Sequence, residues 1–379
     1  MFLSIINIIS ISCLTSVFFN STFSFCFHFL ARNNSGKVRI IDVNPPTTPS
    51  MNPKDETDEN FMIGTVPNSF CVAVDGSGNS YAALTCVLRF FCNNKMNSVE
   101  VVHVPELNFG QEVAFDLQPA FVQKETMKEF ERWEKSSSPE SLVTSFVNAA
   151  RTKSKCQSVR GTLAYHVNEI STSRFLVTGI VGAGGISDVP GTTMTHNLWC
   201  SRCTSIVIKP QHGAQDTKLL SPQHAVSPQK YVVAVDGSGR SHNAFQDVCD
   251  LCDRDFDSIL IVHVLMNQLG LAAAAAIEQR YCKLLNALDM PGRVGYQCVE
   301  VDCGADDLPN DHIGEVIATF AKQERATFLA VGIDGAGIWH DQMEYAKQYP
   351  SPGRVVRFLS HSKNAPCSLV VNCTYNNLK

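Results

Sequence analysis

Residues 70–78 read Phe-Cys-Val-Ala-Val-Asp-Gly-Ser-Gly, and residues 231–239 read Tyr-Val-Val-Ala-Val-Asp-Gly-Ser-Gly. The match continues beyond this block. Ser80 corresponds to Ser241 and Ala83 to Ala244. Val101-Val102-His103-Val104 corresponds to Ile261-Val262-His263-Val264 after a slip of one residue. Phe175-Leu176-Val177-Thr178-Gly179-Ile180-Val181-Gly182 corresponds to Phe328-Leu329-Ala330-Val331-Gly332-Ile333-Asp334-Gly335. Each copy closes on an apolar run after a cysteine, Cys203-Thr204-Ser205-Ile206-Val207-Ile208 and Cys367-Ser368-Leu369-Val370-Val371. Blocks in the same order define two copies of one unit. At about 140 residues the unit is too long for a solenoid repeat, so it is a domain.

The second copy is the clearer one. Tyr231 to Val235 is a short β-branched run that predicts a buried strand. Asp236-Gly237-Ser238-Gly239 is a turn, and Ser241 is expected to cap a helix running to Asp253. Further strands are expected over Ser258 to Leu265, Val294 to Val301, Phe328 to Gly332 and Ser368 to Asn372. Helices are expected over Ala272 to Leu288, Asp311 to Arg325 and Arg354 to Ser362. Strands alternating with helices predict a parallel sheet covered on both faces. The first copy follows the same order with a looser middle. Gln123 to Lys135 and Leu142 to Arg151 read as helices, Gly161 to Ile170 as the helix before strand four, and Gln157 to Arg160 is the best candidate for strand three. The domains are therefore 70–208 and 231–373, joined by a linker over 209–230 that carries Pro210, Pro222 and Pro228.

Residues 1–69 belong to neither copy. Residues 1–31 contain no Lys, Arg, Asp or Glu, and Phe2 to Ile11 and Phe23 to Leu30 are strongly apolar. That length can span a bilayer, but the positive leader of a secretory signal is missing. Asp42 to Asn68 holds five prolines and an acidic cluster, the composition of a disordered tether or tail. Met51 lies inside it. Three readings stand: an over-extended reading frame, a membrane or targeting segment, or neither. The chain is accordingly expected to be cytoplasmic, or membrane-anchored if residues 1–31 are real.

Of the 379 residues, 44% are hydrophobic, enough for ordinary cores, which excludes a wholly disordered chain. With 31 Lys plus Arg against 36 Asp plus Glu, the net charge of -5 supplies no long-range field for nucleic acid. A small phosphate-bearing ligand is still admissible, because backbone amides can hold it. The two Cys-x-x-Cys pairs, Cys200–Cys203 and Cys249–Cys252, lie 45 residues apart. Neither has the setting of a redox motif, so buried thiols are the simpler reading, and no metal ligands are assigned.

In an open α/β sheet, ligands bind at the carboxyl ends of the strands. Asp75 and Asp236 sit just past strand one, each before Gly-Ser-Gly. Such a carboxylate either accepts hydrogen bonds from a ribose or an adenine amino group, or simply makes an Asx turn or helix cap. After strand four the first copy carries Gly179, Gly182, Gly184, Gly185 and Gly191-Thr192-Thr193. Glycine backbone can cradle phosphate oxygens, and the threonine hydroxyls can add donors. The second copy carries Gly332, Gly335, Gly337 and then Gly353-Arg354, where Arg354 either reaches a phosphate or is a surface residue. P-loop and Rossmann fingerprints are absent. His103 and His263 lie inside strand two and read as packed or hydrogen-bonded groups. No nucleophile elbow, zinc-protease helix or kinase set is present, so no catalytic residues are assigned.

On these residues the chain resembles a tandem universal stress protein with two UspA-type domains. The family's opening, an apolar strand followed by V-x-x-D-G-S-x-x-S, resembles Val72 to Ser80 and Val233 to Ser241. Its ATP motif, G-x2-G-x9-G-[S/T], resembles Gly179, Gly182 and Gly191-Thr192 with eight residues in place of nine. It also resembles Gly332, Gly335 and Gly353 with seventeen residues intervening and Arg354 where a small hydroxyl is usual. The resemblance implies two open parallel five-stranded sheets with helices on both faces, strand order 3-2-1-4-5. It implies that the last strands pair as an internal pseudo-dimer across Ile206 and Leu369, with a homodimer as a further option. It implies an adenine nucleotide, ATP with or without Mg2+. Asp75, Val104, Gly179, Gly182, Gly191, Thr192 and Thr193 would hold it in the first domain, and Asp236, Val264, Gly332, Gly335, Gly353 and Arg354 in the second. The role implied is regulatory or stress-related, with at most slow ATP turnover, since no base or metal-ligand set for phosphoryl transfer is apparent. The alternative is a scaffold of this fold that binds no nucleotide and works through protein partners. An enzyme of another α/β class is the third reading, which a thiol with a depressed pKa beside a histidine would favour.

Overall fold

The computed structural model describes residues 32–33, 36–41, 67–74, 78–91, 97–103, 144–148, 163, 166–171, 173–180, 194, 198, 202–209, 228–266, 271–301, 309–335, 352–361 and 363–374. The first unit contributes strands β3 (Ser69–Val74), β4 (Ser98–His103), β5 (Thr144–Asn148), β6 (Phe175–Gly179) and β7 (Thr204–Ile208), with helix α1 (Gly78–Cys86) after β3. The second contributes β8 (Lys230–Val235), α2 (Gly239–Leu251), β9 (Ser258–Met266), α3 (Leu271–Ala287) and β10 (Val294–Val301). It continues through α4 (Pro309–Gln323), β11 (Phe328–Gly332), α5 (Arg354–Ser360) and β12 (Ser368–Asn372).

The units pair their strands alike. The order is β5-β4-β3-β6-β7 in one and β10-β9-β8-β11-β12 in the other, which is 3-2-1-4-5 in each, all parallel. Parallel strands need both faces covered, and the sequence supplies that with apolar runs rather than alternation. Phe70, Val72, Phe175 and Val177 share one buried cluster with Tyr231, Val233, Phe328 and Ala330 of the other unit. Their neighbours on the opposite face, Val232, Leu329 and Val331, pack with α4 residues Ile317 and Phe320 and α5 residues Val356 and Leu359.

The units join through their last strands. β7 and β12 run antiparallel, with Leu369 opposite Val207, Val370 opposite Ile206 and Val371 opposite Ser205. Counting from Cys203 and Cys367, Ile206 and Val370 are equivalent residues, so the pseudo-two-fold axis passes through that pair. A chain of aromatic rings crosses the same junction. Phe175, Phe70, Phe91, Phe328 and Tyr231 follow one another at centroid separations of 5.2, 5.7, 5.4 and 5.2 Å.

Three local readings change. Leu142 to Arg151 reads as helix in the sequence, yet Thr144–Asn148 is the third strand of the first unit, in register from Val99–Thr144 to His103–Asn148. Its Thr-Ser-Phe-Val core suits a strand, and pairing with β4 overrides the helical spacing. The N-cap of α2 is Ser238, not Ser241: its side chain accepts from the Ser241 amide and the helix starts at Gly239. Within the amino-terminal segment, β1 (Arg32–Asn33) and β2 (Gly36–Ile41) form an antiparallel pair. β2 then lies antiparallel on the outer edge of β10, from Val38–Val301 to Ile41–Cys298. The segments 1–31, 123–135 and 157–160 lie outside the described residues. No helix among the described residues is long and apolar enough to cross a membrane.

Candidate functional site

The second unit's crevice lies where β8 and β11 end side by side, the point at which the strand order reverses. β8 delivers Asp236 there. The Asp236 Oδ1 atom accepts from the Ser238 amide at 3.0 Å, so the Asx turn is real. The Ser241 hydroxyl completes the turn, accepting from the Asp236 amide at 3.3 Å and donating to the Ser238 carbonyl at 3.0 Å. Gly237 adopts φ +82°, and a Cβ there would come within 2.9 Å of Ile277 on α3. Both conformation and space require glycine at that corner. The turn thereby employs one carboxylate oxygen and directs the other, Oδ2, across the crevice towards Gly335, whose Cβ would stand 3.0 Å from it.

The glycines after β11 have separate duties. A Cβ on Gly332 would lie 2.8 Å from the Arg240 Cβ and 2.9 Å from the Ser241 amide, so this glycine lets strand and helix touch. Gly179 does the same in the first unit, where its Cβ would meet Asn79 at 2.7 Å. Gly353 folds back on the loop by donating its amide to the Ile333 carbonyl at 2.7 Å, and a Cβ there would sit 3.4 Å from the Asp334 Cα. Asp236, Gly335 and Gly353 are thus brought together, with Asp236 Oδ2 directly against Gly335.

Other assigned residues stand apart. Val264 is inside β9, opposite Val299, and half-buried against the core. Arg354 opens α5 and is exposed. His263 is buried, its Nδ1 donating to the Val235 carbonyl at 2.8 Å, so it ties strand two to strand one. Asp75, Val104, Gly182, Gly191, Thr192 and Thr193 lie outside the described residues.

Two charged residues at the crevice were missed. Arg240, in the first turn of α2, pairs with Asp334 between the two glycines, Nε to Oδ1 3.4 Å, and its Nη1 donates to the Cys373 carbonyl at 3.2 Å. The signal was available: the variable positions of both motifs carry opposite charges in this copy, against Asn79 and Val181 in the other. The described thiols whose ionisation is displaced all move upwards. Burial, then Asp257 and Asp253, pushes Cys252 up to about 12, and burial raises Cys249 well above the usual thiol range. None of these is a thiolate nucleophile near neutral pH.

No protein-family profile and no curated protein sequence matches the chain. Among solved structures, it is similar to a universal stress protein from Archaeoglobus fulgidus DSM 4304, at 12% identity and TM-score 0.49. That match covers 82% of this chain and 99% of the other. It is also similar to the universal stress protein UspA from Lactobacillus plantarum, at 16% identity and TM-score 0.28, over 39% of this chain and 99% of that one. The assignment of fold rests on the chain's own strand pairings given above.

Proposed function

We propose that the chain is a tandem protein of the universal stress type that binds an adenine nucleotide, ATP with or without Mg2+, and serves a regulatory rather than a catalytic role. The observation that carries this reading is the Asp236 turn. A structural Asx turn needs one carboxylate oxygen; here the second, Oδ2, is turned across to Gly335. Ribose hydroxyls are the natural partners of such an acceptor, and glycine at Gly335 lets phosphates approach the backbone. The strand order and the repeated Val-Asp-Gly-Ser turn support the same site in the first unit, at Asp75.

The test is native mass spectrometry of the full chain titrated with Mg2+-ATP. Two adducts are expected. Asp236→Ala weakens one by about 10- to 100-fold, the worth of a charge-assisted hydrogen bond, and Asp75→Ala weakens the other. No adduct at millimolar ATP would overturn the reading and leave a scaffold that acts through protein partners.

A further inference from the structure

The two copies differ most sharply at the crevice in charge. Arg240 and Asp334 hold places in the sequence corresponding to Asn79 and Val181, and in both copies the first glycine of the motif touches the residue after Gly-Ser-Gly. Only the second copy therefore carries an ion pair there. Its side chains are 12% and 10% exposed, so both charges are largely removed from water. At 3.4 Å the contact is longer than the 2.7–2.9 Å typical of a charge-assisted hydrogen bond. A desolvated pair of this kind adds little to stability. Its position is more telling. Asp334 lies between Gly332 and Gly335 and against Gly353, and the guanidinium also reaches the carbonyl of Cys373, past the end of β12. One cation thus spans the ends of β11 and β12, beside the glycine loop.

We propose that Arg240 is the anion anchor of the second cleft and that Asp334 is its built-in competitor: a polyphosphate enters by taking the guanidinium from Asp334. The inference rests on the phosphate-binding reading of this crevice and adds how it is regulated. A guanidinium matches two phosphate oxygens in a planar fork, and a polyphosphate brings more negative charge than one carboxylate. Until it is displaced, the Asp334 carboxylate repels that charge. The second cleft is therefore the weaker of the two in the resting protein, and strengthens when Asp334 is neutralised.

The probes are inorganic tripolyphosphate and ATP, titrated calorimetrically into the full chain. Asp334→Asn is expected to tighten tripolyphosphate binding at least about tenfold, and adding Arg240→Gln to that variant erases the gain. Asp334→Val, which installs the residue the first copy carries, gives the same answer if the Asn variant folds poorly. Tripolyphosphate binding without ATP binding would retain this proposal and discard the nucleoside reading. ATP binding at both clefts that is indifferent to Asp334 would do the reverse. No gain in either Asp334 variant, or a gain that survives loss of Arg240, overturns the proposal.

Discussion

Asp247 is a carboxylate that the fold hides at the junction of its halves. It sits on α2 and is almost fully buried. Arg174 of the other unit reaches it at 2.7 Å and reaches Asp250 at 2.5 Å. Thr204 on β7 donates to Asp247 Oδ2 at 2.5 Å, and Asn372 on β12 donates to the same oxygen at 2.7 Å. Burial raises the Asp247 pKa; Arg174, Thr204 and Asn372 pull it back, and the net displacement is upwards. For an acid displaced upwards, the native state holds the proton more tightly than the unfolded chain does. Its ionisation therefore costs stability as pH rises from the usual carboxylate value through the folded one, and the cost is complete above that. Arg174→Ala removes the main opposing charge and moves that window higher. The variant should lose about 3 kcal/mol at neutral pH, the low end for a broken buried pair because Arg174 is itself partly exposed. The deficit should shrink on acidification. Urea melts across the pH range check this, and a deficit that stays flat with pH would refute it. This network was illegible in the sequence, because its hydrogen-bonded pairs lie 43 to 168 residues apart and their residue types announce nothing singly.

At the scale of elements, strands of the second unit follow their β-branched runs closely, and β10, β11 and β12 match the expected bounds. The turn at Asp236 was equally legible, since Gly-Ser-Gly after a strand leaves few conformations. The first unit's third strand was not. Among the described strands it lies at the edge of the sheet and pairs with β4 alone, so fewer contacts constrain the sequence and Thr144–Asn148 keeps a helix-compatible spacing. The opposite edge is managed differently. β2 covers β10 and satisfies a row of backbone groups that would otherwise template other chains. Removal of residues 1–41 should strip hydrogen-exchange protection from those amides of residues 298–301 that face β2, while leaving their β9-facing neighbours and the amides of β8 and β9 unchanged. Unaltered protection at β10 would show that β2 does not cover that edge in solution.

For the whole molecule, the aromatic chain makes the halves one hydrophobic body. Phe91 is 3% exposed and is the link between Phe70 and Phe328; its counterpart in the second unit is Cys252. Phe91→Ala should cost about 3–5 kcal/mol, as for other buried aromatic truncations. Because the ring belongs to both halves, heat unfolding of the native chain should show a single calorimetric transition. The variant should separate into two transitions if the strand seam alone is weaker than either core. One unchanged transition at the original temperature would mean that Phe91 bridges nothing.

The one-sidedness of the Asp247 network reaches beyond stability, to which halves recognise each other. At the symmetry-related places the chain has Cys86 for Asp247, Ser368 for Thr204, Thr327 for Arg174 and Ile208 for Asn372. Two second halves brought together like with like would bury two carboxylates and offer neither an arginine. Two first halves would bring arginines to the seam with no acid to meet them. In a geometry suited to identical partners, these side chains complement one another only in the unlike pair, and the single chain supplies that pair at a fixed one-to-one ratio.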